Sequence, residues 1–549
     1  MQAASLRAIG AKFISFLNRG YLMGQINLRF IGKTNAKPYG LLLLCIIGFV
    51  VLLNFVVMDF VQDDGYITFH YAQNISDHGT LYYNVNEHGP IGYSNFSYVA
   101  LLVILRLFSF RRLSFELLAR GVATFSLATL LFYCLLAIKQ SSLYKNKWLF
   151  ISQIALCLYF FVSFPFLLPN YFSGLETALF TLLIFLLIFY LFVGKLNNKL
   201  FTVYLTFALT LRIDAILLLL PIVIIYILSP EANSMQKVQS LILAFGLWAL
   251  GFLGTYLLTG AWLPLSFGHK SQGFSLETLL SYIKFVAITL SPLAILLVVK
   301  QFKLVLFVGF QLLFACFFYS FFIHWHFERY IFPFVFAAFA IFVLVLYRDF
   351  TQPDIVKLVF VAIYILFTFF PGTLEGFSWV SGYRVSMINL KLIADAFEQA
   401  QIDEKYRSFA SYDAGYITYQ TNWEIVDLAG LTTPQIIQQD IGKVIAESNP
   451  TVLIISTSHF EDPAKVILSS QYRKDSSPIP ANYHFITYIP LTNPFWWPTS
   501  HYSYYIYMNE HATASLIERV SRISVDSKQE IGYQQYIFYA LSALAQLSF

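Results

Sequence analysis

The chain has 549 residues, of which 58% are apolar and only 12% charged, with a formal net charge of +5 and a mean hydropathy of +0.65. A soluble domain carries roughly 45–50% apolar and about 25% charged residues, so the composition excludes a disordered chain and a nucleic-acid binder. Four cysteines are too few for a disulfide scaffold.

Residues 1–38 hold six basic side chains and no acid. This basic segment is expected to stay in the cytoplasm. The first apolar run, Leu41 to Val57, follows a long polar stretch and has no small-residue cleavage site after it. It is read as a retained membrane helix.

A polar loop, 59–97, comes next. Asp63 and Asp64 are adjacent, so on a regular element they point in different directions. One is free to face a cavity while the other caps the following helix. Ile67, Tyr71 and Ile75 form an i, i+4 stripe suited to the membrane surface. The stretch 97–110 is apolar but short and ends in Arg111-Arg112. It is read as an interfacial helix; a spanning helix there would upset the topology.

Further apolar runs lie near 115–138, 147–164, 175–194, 200–228, 239–258, 282–300, 303–322, 330–347 and 355–371. The run 200–228 is interrupted by Arg212-Ile213-Asp214. Each charge costs roughly 2.5–3.5 kcal/mol at the middle of a bilayer. Two short helices meeting at that triplet avoid the cost, which gives about eleven spans. With the head inside, Lys139, Lys145, Lys147, Lys195, Lys199, Lys237, Lys300, Lys303, Arg348 and Lys357 all fall on the cytoplasmic side. Asp63, Asp64, Glu176, Asp214, Glu277 and Glu328 all fall outside. The pattern obeys the positive-inside rule.

Residues 39–371 carry 31 charges in 333 positions, and residues 372–549 carry 28 in 178. The last segment is therefore expected to be a water-exposed domain outside the cytoplasm. Short β-rich runs (Thr451 to Ser456, Tyr483 to Ile489, Tyr502 to Tyr507) alternate with helix-like stretches (389–402, 434–448, 513–523). That alternation predicts a small α/β domain. It has no glycine-rich phosphate loop.

Several motifs recur at the external positions. Asp63-Asp64-Gly65-Tyr66-Ile67 is followed by His70-Tyr71-Ala72-Gln73-Asn74 and then by Gly92-Tyr93-Ser94-Asn95. Later come Ser173-Gly174-Leu175-Glu176-Thr177, Arg212-Ile213-Asp214-Ala215, Leu263-Pro264 through Lys270, and His326-Phe327-Glu328-Arg329-Tyr330. The tail adds Asp413-Ala414-Gly415 and Val426-Asp427-Leu428-Ala429-Gly430-Leu431.

Taken in order, these motifs resemble the GT-C glycosyltransferases, most closely the group containing the mycobacterial terminal arabinofuranosyltransferases. Two positions depart from that pattern: the arginine after the Asp-Asp helix is His70 here, and the glutamate before Gly-Tyr is Ile91. The resemblance implies a polytopic α-helical module (39–371) with a C-terminal extracytoplasmic α/β domain (372–549) in a bacterial inner membrane. It implies transfer of a sugar from a polyprenyl-phosphate donor to an envelope glycan, lipid or protein acceptor. On that expectation Asp63 or Asp64 is the general base, and Asp64 is also suited to orient the sugar. Arg212, Lys270 and Arg329 hold the donor phosphate. Tyr66, His70, Tyr93, Asn95, Glu176, Asp214, His326 and Glu328 line the substrate site.

Other readings compete. Arg212 and Asp214 are placed to pair with each other, and Glu176 to act as a helix N-terminal acid. Lys270 and the Glu328-Arg329 pair suit interfacial anchoring. His269, His324 and His326 have poor metal spacing. The residues identify no cofactor and leave a divalent cation open. Trp496 and Trp497 offer either a sugar-stacking platform for the acceptor or a surface packing the tail onto the body. Cys45, Cys134, Cys157 and Cys316 read as small apolar side chains in spans. A flippase of lipid-linked sugars or a non-catalytic envelope scaffold would share the membrane body, and product analysis separates either from a transferase.

Overall fold

The computed structural model describes residues 37–57, 60–84, 91–140, 147–164, 166–193, 196–229, 233–262, 264, 273–321, 327–349, 376, 380, 383, 387–458, 462–469, 476–490 and 502–523. The first half is helical. Its elements are α1 (Lys37–Val56), α2 (Asp63–His78), α3 (Phe96–Phe108), α4 (Phe115–Gln140), α5 (Lys147–Val162), α6 (Leu167–Tyr171) and α7 (Thr177–Phe192). After these come α8 (Asn198–Leu211), α9 (Ala215–Leu218), α10 (Leu220–Leu228), α11 (Ser234–Thr259), α12 (Leu276–Tyr319) and α13 (Phe327–Asp349).

Among the described residues, four stretches are long and apolar enough to cross a membrane: Phe115–Lys139, Ser234–Leu257, Gln301–Tyr319 and Arg329–Arg348. That is fewer than the eleven expected. The difference has a physical origin in where helices end. The run 175–194 becomes a helix of 16 residues, about 24 Å long at 1.5 Å per residue, against a hydrocarbon core of about 30 Å. The expected spans 282–300 and 303–322 form one 44-residue helix, α12, broken at Gln301 (φ −129°, ψ 39°). The expected span 355–371 lies outside the described residues. The break at Arg212-Ile213-Asp214 is present, since α8 ends at Leu211 and α9 starts at Ala215.

Helix α13 is the centre of the body. Its spanning stretch is 94% buried, whereas that of α11 is 11% buried. So α13 is wrapped by α4, α7 and α12, while α11 packs on α8 alone among its larger contacts and presents Ile242, Leu250 and Leu257 outward. The cysteines Cys134, Cys157 and Cys316 are buried among apolar side chains, as expected.

The loop helices differ from expectation in two respects. Both aspartates lie in the first turn of α2, where the helix dipole favours acids. The N-cap is Gln62, so neither aspartate caps the helix. The stripe Ile67, Tyr71, Ile75 does not face a membrane surface. Tyr71 is fully enclosed, with Tyr83 and Tyr93 against it. Helix α3, 13 residues long, falls short of a span. Arg106 and Arg111 tie its end to Asp77 at the end of α2.

The C-terminal part contains α14 (387–398), β1 (Ser408–Ser411), α15 (Gly415–Gln420), β2 (Glu424–Asp427), α16 (Gln435–Gln438), α17 (Ile441–Ser448) and β3 (Val452–Ser458). It continues with β4 (Ile467–Ser469), β5 (Ser476–Pro478), β6 (His484–Pro490), β7 (Tyr502–Met508) and α18 (514–523). Five strands form one sheet in the order β2-β1-β3-β7-β6. The β1 pairings are parallel, and β3-β7 and β7-β6 are antiparallel. The three expected strands are β3, β6 and β7. The short β1 and β2, four residues each, complete the mixed sheet.

Candidate functional site

The first loop and the C-terminal domain meet at Asp63. Its carboxylate accepts the backbone N–H of Gly415 (3.0 Å) and that of Tyr416 (2.8 Å), at the start of α15. Close approach of two backbones is what demands glycine at 415: a Cβ there would overlap the Asp63 carbonyl oxygen. Asp413, two residues earlier, accepts the Tyr504 hydroxyl at 2.7 Å.

Burial pushes the Asp63 carboxyl up to about 8, and the neighbouring Asp413 pushes the same way. The two backbone N–H groups oppose the rise, and Asp64 adds to it. Burial likewise raises Asp413. Three carboxylates therefore share one neighbourhood.

Asp64 points elsewhere. Its Oδ2 accepts Arg329 Nη1 at 2.6 Å. The Asp64 side chain keeps 45% of its surface and Arg329 keeps 23%, so this ion pair is open to solvent. Tyr383 sits close to both partners and to Asp63 and Asp413.

A second charged group lies in the body. Arg212 makes a bidentate contact with Asp214 (Nε to Oδ1 3.1 Å, Nη2 to Oδ2 2.8 Å). It also donates to the Tyr319 hydroxyl at 3.2 Å, and Tyr319 in turn donates to Asp214 at 2.7 Å. Glu176 lies 3.6 Å from Arg212 and accepts Asn95 Nδ2 at 2.9 Å. Arg212 is thus buried between two acids, and the pairing of Arg212 with Asp214 is what the structure contains. Glu176 occupies the N-cap position of α7 but makes no capping bond. Arg212 and Arg329 both lie near the Tyr330 ring, which links the two groups.

The remaining expected residues fall into three sets. Tyr66 is buried against Phe69, Tyr416 and Tyr419. Tyr93 is packed against Tyr71 and Phe96. His70 is held under Tyr83: its Nε2–H donates to the Tyr83 carbonyl at 2.9 Å, and burial lowers its pKa to about 4, so it is neutral. Lys270, His326, Trp496 and Trp497, with His269 and His324, lie outside the described residues, as does the Glu328 side chain. Among the described residues, no group of three or more His, Cys, Asp or Glu side chains is arranged to hold a metal ion.

The tail motifs turn out to be docking devices. Tyr83 Oη donates to the Ala414 carbonyl at 3.1 Å. Asn84 exchanges two hydrogen bonds with the Ile425 backbone (3.0 and 3.2 Å). Gly92 approaches Leu431 so closely that a Cβ would overlap its carbonyl oxygen. The Asp427-Leu428-Ala429-Gly430-Leu431 loop is built by Asp427, whose carboxylate accepts the N–H of Ala429 and of Thr432, both at 2.8 Å. Gly430 supplies the left-handed turn at φ 71°. These motifs are visible in the sequence, but the partners they meet are not. The glycines were the available signal, since each marks a backbone that something approaches. Asp413 stands in the Asp413-Ala414-Gly415 motif without an assigned role, and Tyr319 and Tyr383 belong to none of the motifs.

No curated protein matches the chain. Residues 392–507, which span the five-stranded sheet, match the model of a domain family of unknown function, DUF8728.

Proposed function

We propose that this chain is a membrane glycosyltransferase of the GT-C type that uses a polyprenyl-phosphate sugar. In this reading the basic head is cytoplasmic, the body crosses a bacterial inner membrane about eleven times, and the first loop and the C-terminal domain lie on the outer side. The acceptor is an envelope glycan, lipid or protein.

One observation carries the reading: a solvent-open Asp64–Arg329 ion pair stands directly beside a carboxylate, Asp63, whose pKa is raised to about 8. A general base works best with a pKa near the operating pH. Asp63 keeps a second lone pair on each oxygen after accepting the two N–H groups. In its ionised form it takes the proton of the acceptor hydroxyl as that oxygen attacks the anomeric carbon. The bond from that carbon to the phosphate oxygen breaks, and the phosphate leaves with the electron pair, already stable as an anion. Arg329 is suited to hold that phosphate through its planar fork. Asp64 then orients the sugar. A single displacement of this kind inverts the anomeric centre. Arg212 has most of its donors committed to Asp214 and Tyr319, so it organises the site from behind.

The test is mass analysis of envelope glycans from cells carrying Asp63→Asn, Asp64→Asn or a deletion of the gene. Loss of the same sugar residue in all three is expected. Wild-type glycans in both point mutants would sink the assignment.

A further inference from the structure

The turn between α3 and α4 is built in a way that chain reversal alone does not require. Helix α3 buries Tyr98, Val99 and Leu102, and its end is tied down. Arg106 and Arg111 reach Asp77 at 3.5 and 3.7 Å, and Arg111 donates to the Ser76 carbonyl at 2.8 Å, so the turn is held to the end of α2. The Arg111 N–H closes the helix on the Arg106 carbonyl at 2.9 Å. Phe110 (φ 52°) and Arg111 (φ 59°) are both left-handed there. Glycine takes that conformation without steric cost, whereas phenylalanine and arginine are strained in it.

The strained pair turns its side chains outward. Phe108 and Phe110 are 78% and 84% exposed, and Ile104, Leu107, Leu113 and Leu117 are exposed around them. Ile104, Leu107 and Phe108 share one helix face by their i, i+3, i+4 spacing. A cluster of this kind marks a surface that something apolar covers. Two observations identify the cover. The turn leads directly into Phe115–Lys139, one of the four stretches able to cross a membrane, and the exposed positions Leu117, Gly121 and Phe125 carry the same outward face along that helix at i, i+4 spacing. The apolar tip is also rimmed by Arg111 and Arg112, both exposed. The Arg112 side chain has no hydrogen bond or ion pair among the described residues. Asp77 is the acid these arginines share, and Glu116 is occupied elsewhere, accepting the Tyr419 hydroxyl at 3.1 Å. The rim is therefore net positive. Phenylalanine and leucine beneath a pair of arginines form a surface suited to anionic lipid.

We propose that the α3–α4 turn is a lipid-docking wedge: Phe108 and Phe110 enter the leaflet that the N-terminal end of α4 meets, and Arg111 and Arg112 bind the phosphate of an anionic phospholipid headgroup. The proposal does not depend on the transferase reading. Because the turn is bound to Ser76 and Asp77, lipid contact also sets where α2, which carries Asp63 and Asp64 in its first turn, rests against the membrane.

The test uses full-length protein reconstituted in nanodiscs of phosphatidylcholine alone or of phosphatidylcholine with phosphatidylglycerol. Hydrogen–deuterium exchange of the 107–114 amides is read by peptide mass. Wild type should exchange about five-fold more slowly when phosphatidylglycerol is present, the factor expected from one arginine at an anionic surface. Arg112→Gln, which breaks no described bond of the turn, should lose most of that difference, and Arg112→Lys should keep it. Phe108→Ser combined with Phe110→Ser should speed exchange in both lipids. Equal wild-type exchange in the two lipids, or a difference that Arg112→Gln leaves intact, overturns the headgroup site. Exchange that the paired serine substitutions leave unchanged overturns the wedge.

Discussion

The Asp63 carboxylate and the Tyr416 backbone N–H are separated by 353 positions in the chain and by 2.8 Å in space. The contact joins the first loop to the C-terminal domain at a carboxyl group whose pKa burial raises.

Gly415→Ala should break that junction. The added methyl collides with a backbone oxygen, which cannot swing aside as a side chain does. Overpacking of this kind costs about 1–3 kcal/mol. The expected result is a lower Tm of the detergent-solubilised protein and faster proteolysis between body and tail. Gly121→Ala, inside α4 where a Cβ meets nothing within 4 Å, serves as the control and should keep or slightly raise the Tm.

Stability should fall as pH rises from about 4 to about 8. Asp63 holds its proton in the folded protein up to about 8 and Asp427 up to about 6, whereas an unfolded Asp releases it near 3.9. The folded state therefore binds more protons across that window, and the stability this provides is complete below about 4 and gone above about 8. Thermal unfolding of wild type and Asp63→Asn at pH 5, 7 and 8.5 checks it. The mutant curve should be flatter, and equal slopes would refute the Asp63 contribution.

Arg212→Ala should destabilise the body strongly. It leaves Asp214 and Glu176 without their cation in a buried setting, a loss of about 3–5 kcal/mol. Tyr319→Phe removes the hydroxyl that donates to Asp214 and accepts from Arg212, and should cost about 1.5–3 kcal/mol. Denaturation midpoints measured in parallel decide the matter. An Arg212→Ala protein as stable as wild type would mean that Arg212 is not the core of this network.

Arg329→Lys separates charge from shape. The pair with Asp64 is solvent-open, so little stability is at stake. Lysine keeps the charge but loses the planar fork. The protein should fold normally and lose at least about ten-fold in transfer, read as depletion of the same envelope sugar that Asp64→Asn removes. Full transfer with lysine at 329 would show that a point charge suffices.

The broad plan was legible in the sequence because composition and charge spacing report it directly. The apolar body, the break at Arg212-Ile213-Asp214 and three strands of the tail all follow from local pattern. Strands β1 and β2 did not, because four residues such as Ser408–Ser411 carry too short an alternation to read. The span count suffered from the opposite problem. Apolar runs continue past the helix ends, so 175–194 reads longer than Thr177–Phe192 folds. In the site, Asp64–Arg329 and Asp63–Gly415 are long-range pairings. A motif names the residue to watch but not the residue it will meet.

The Asn84 amide has one more consequence. It satisfies both the N–H and the C=O of Ile425 on the outer side of β2, the terminal strand of the sheet. The body thus caps a strand edge that would otherwise template pairing with another chain. A tail expressed without its helical partner would expose that edge and tend toward self-association. The loop that carries the two aspartates is, for the sheet, a guard against sticking to its own kind.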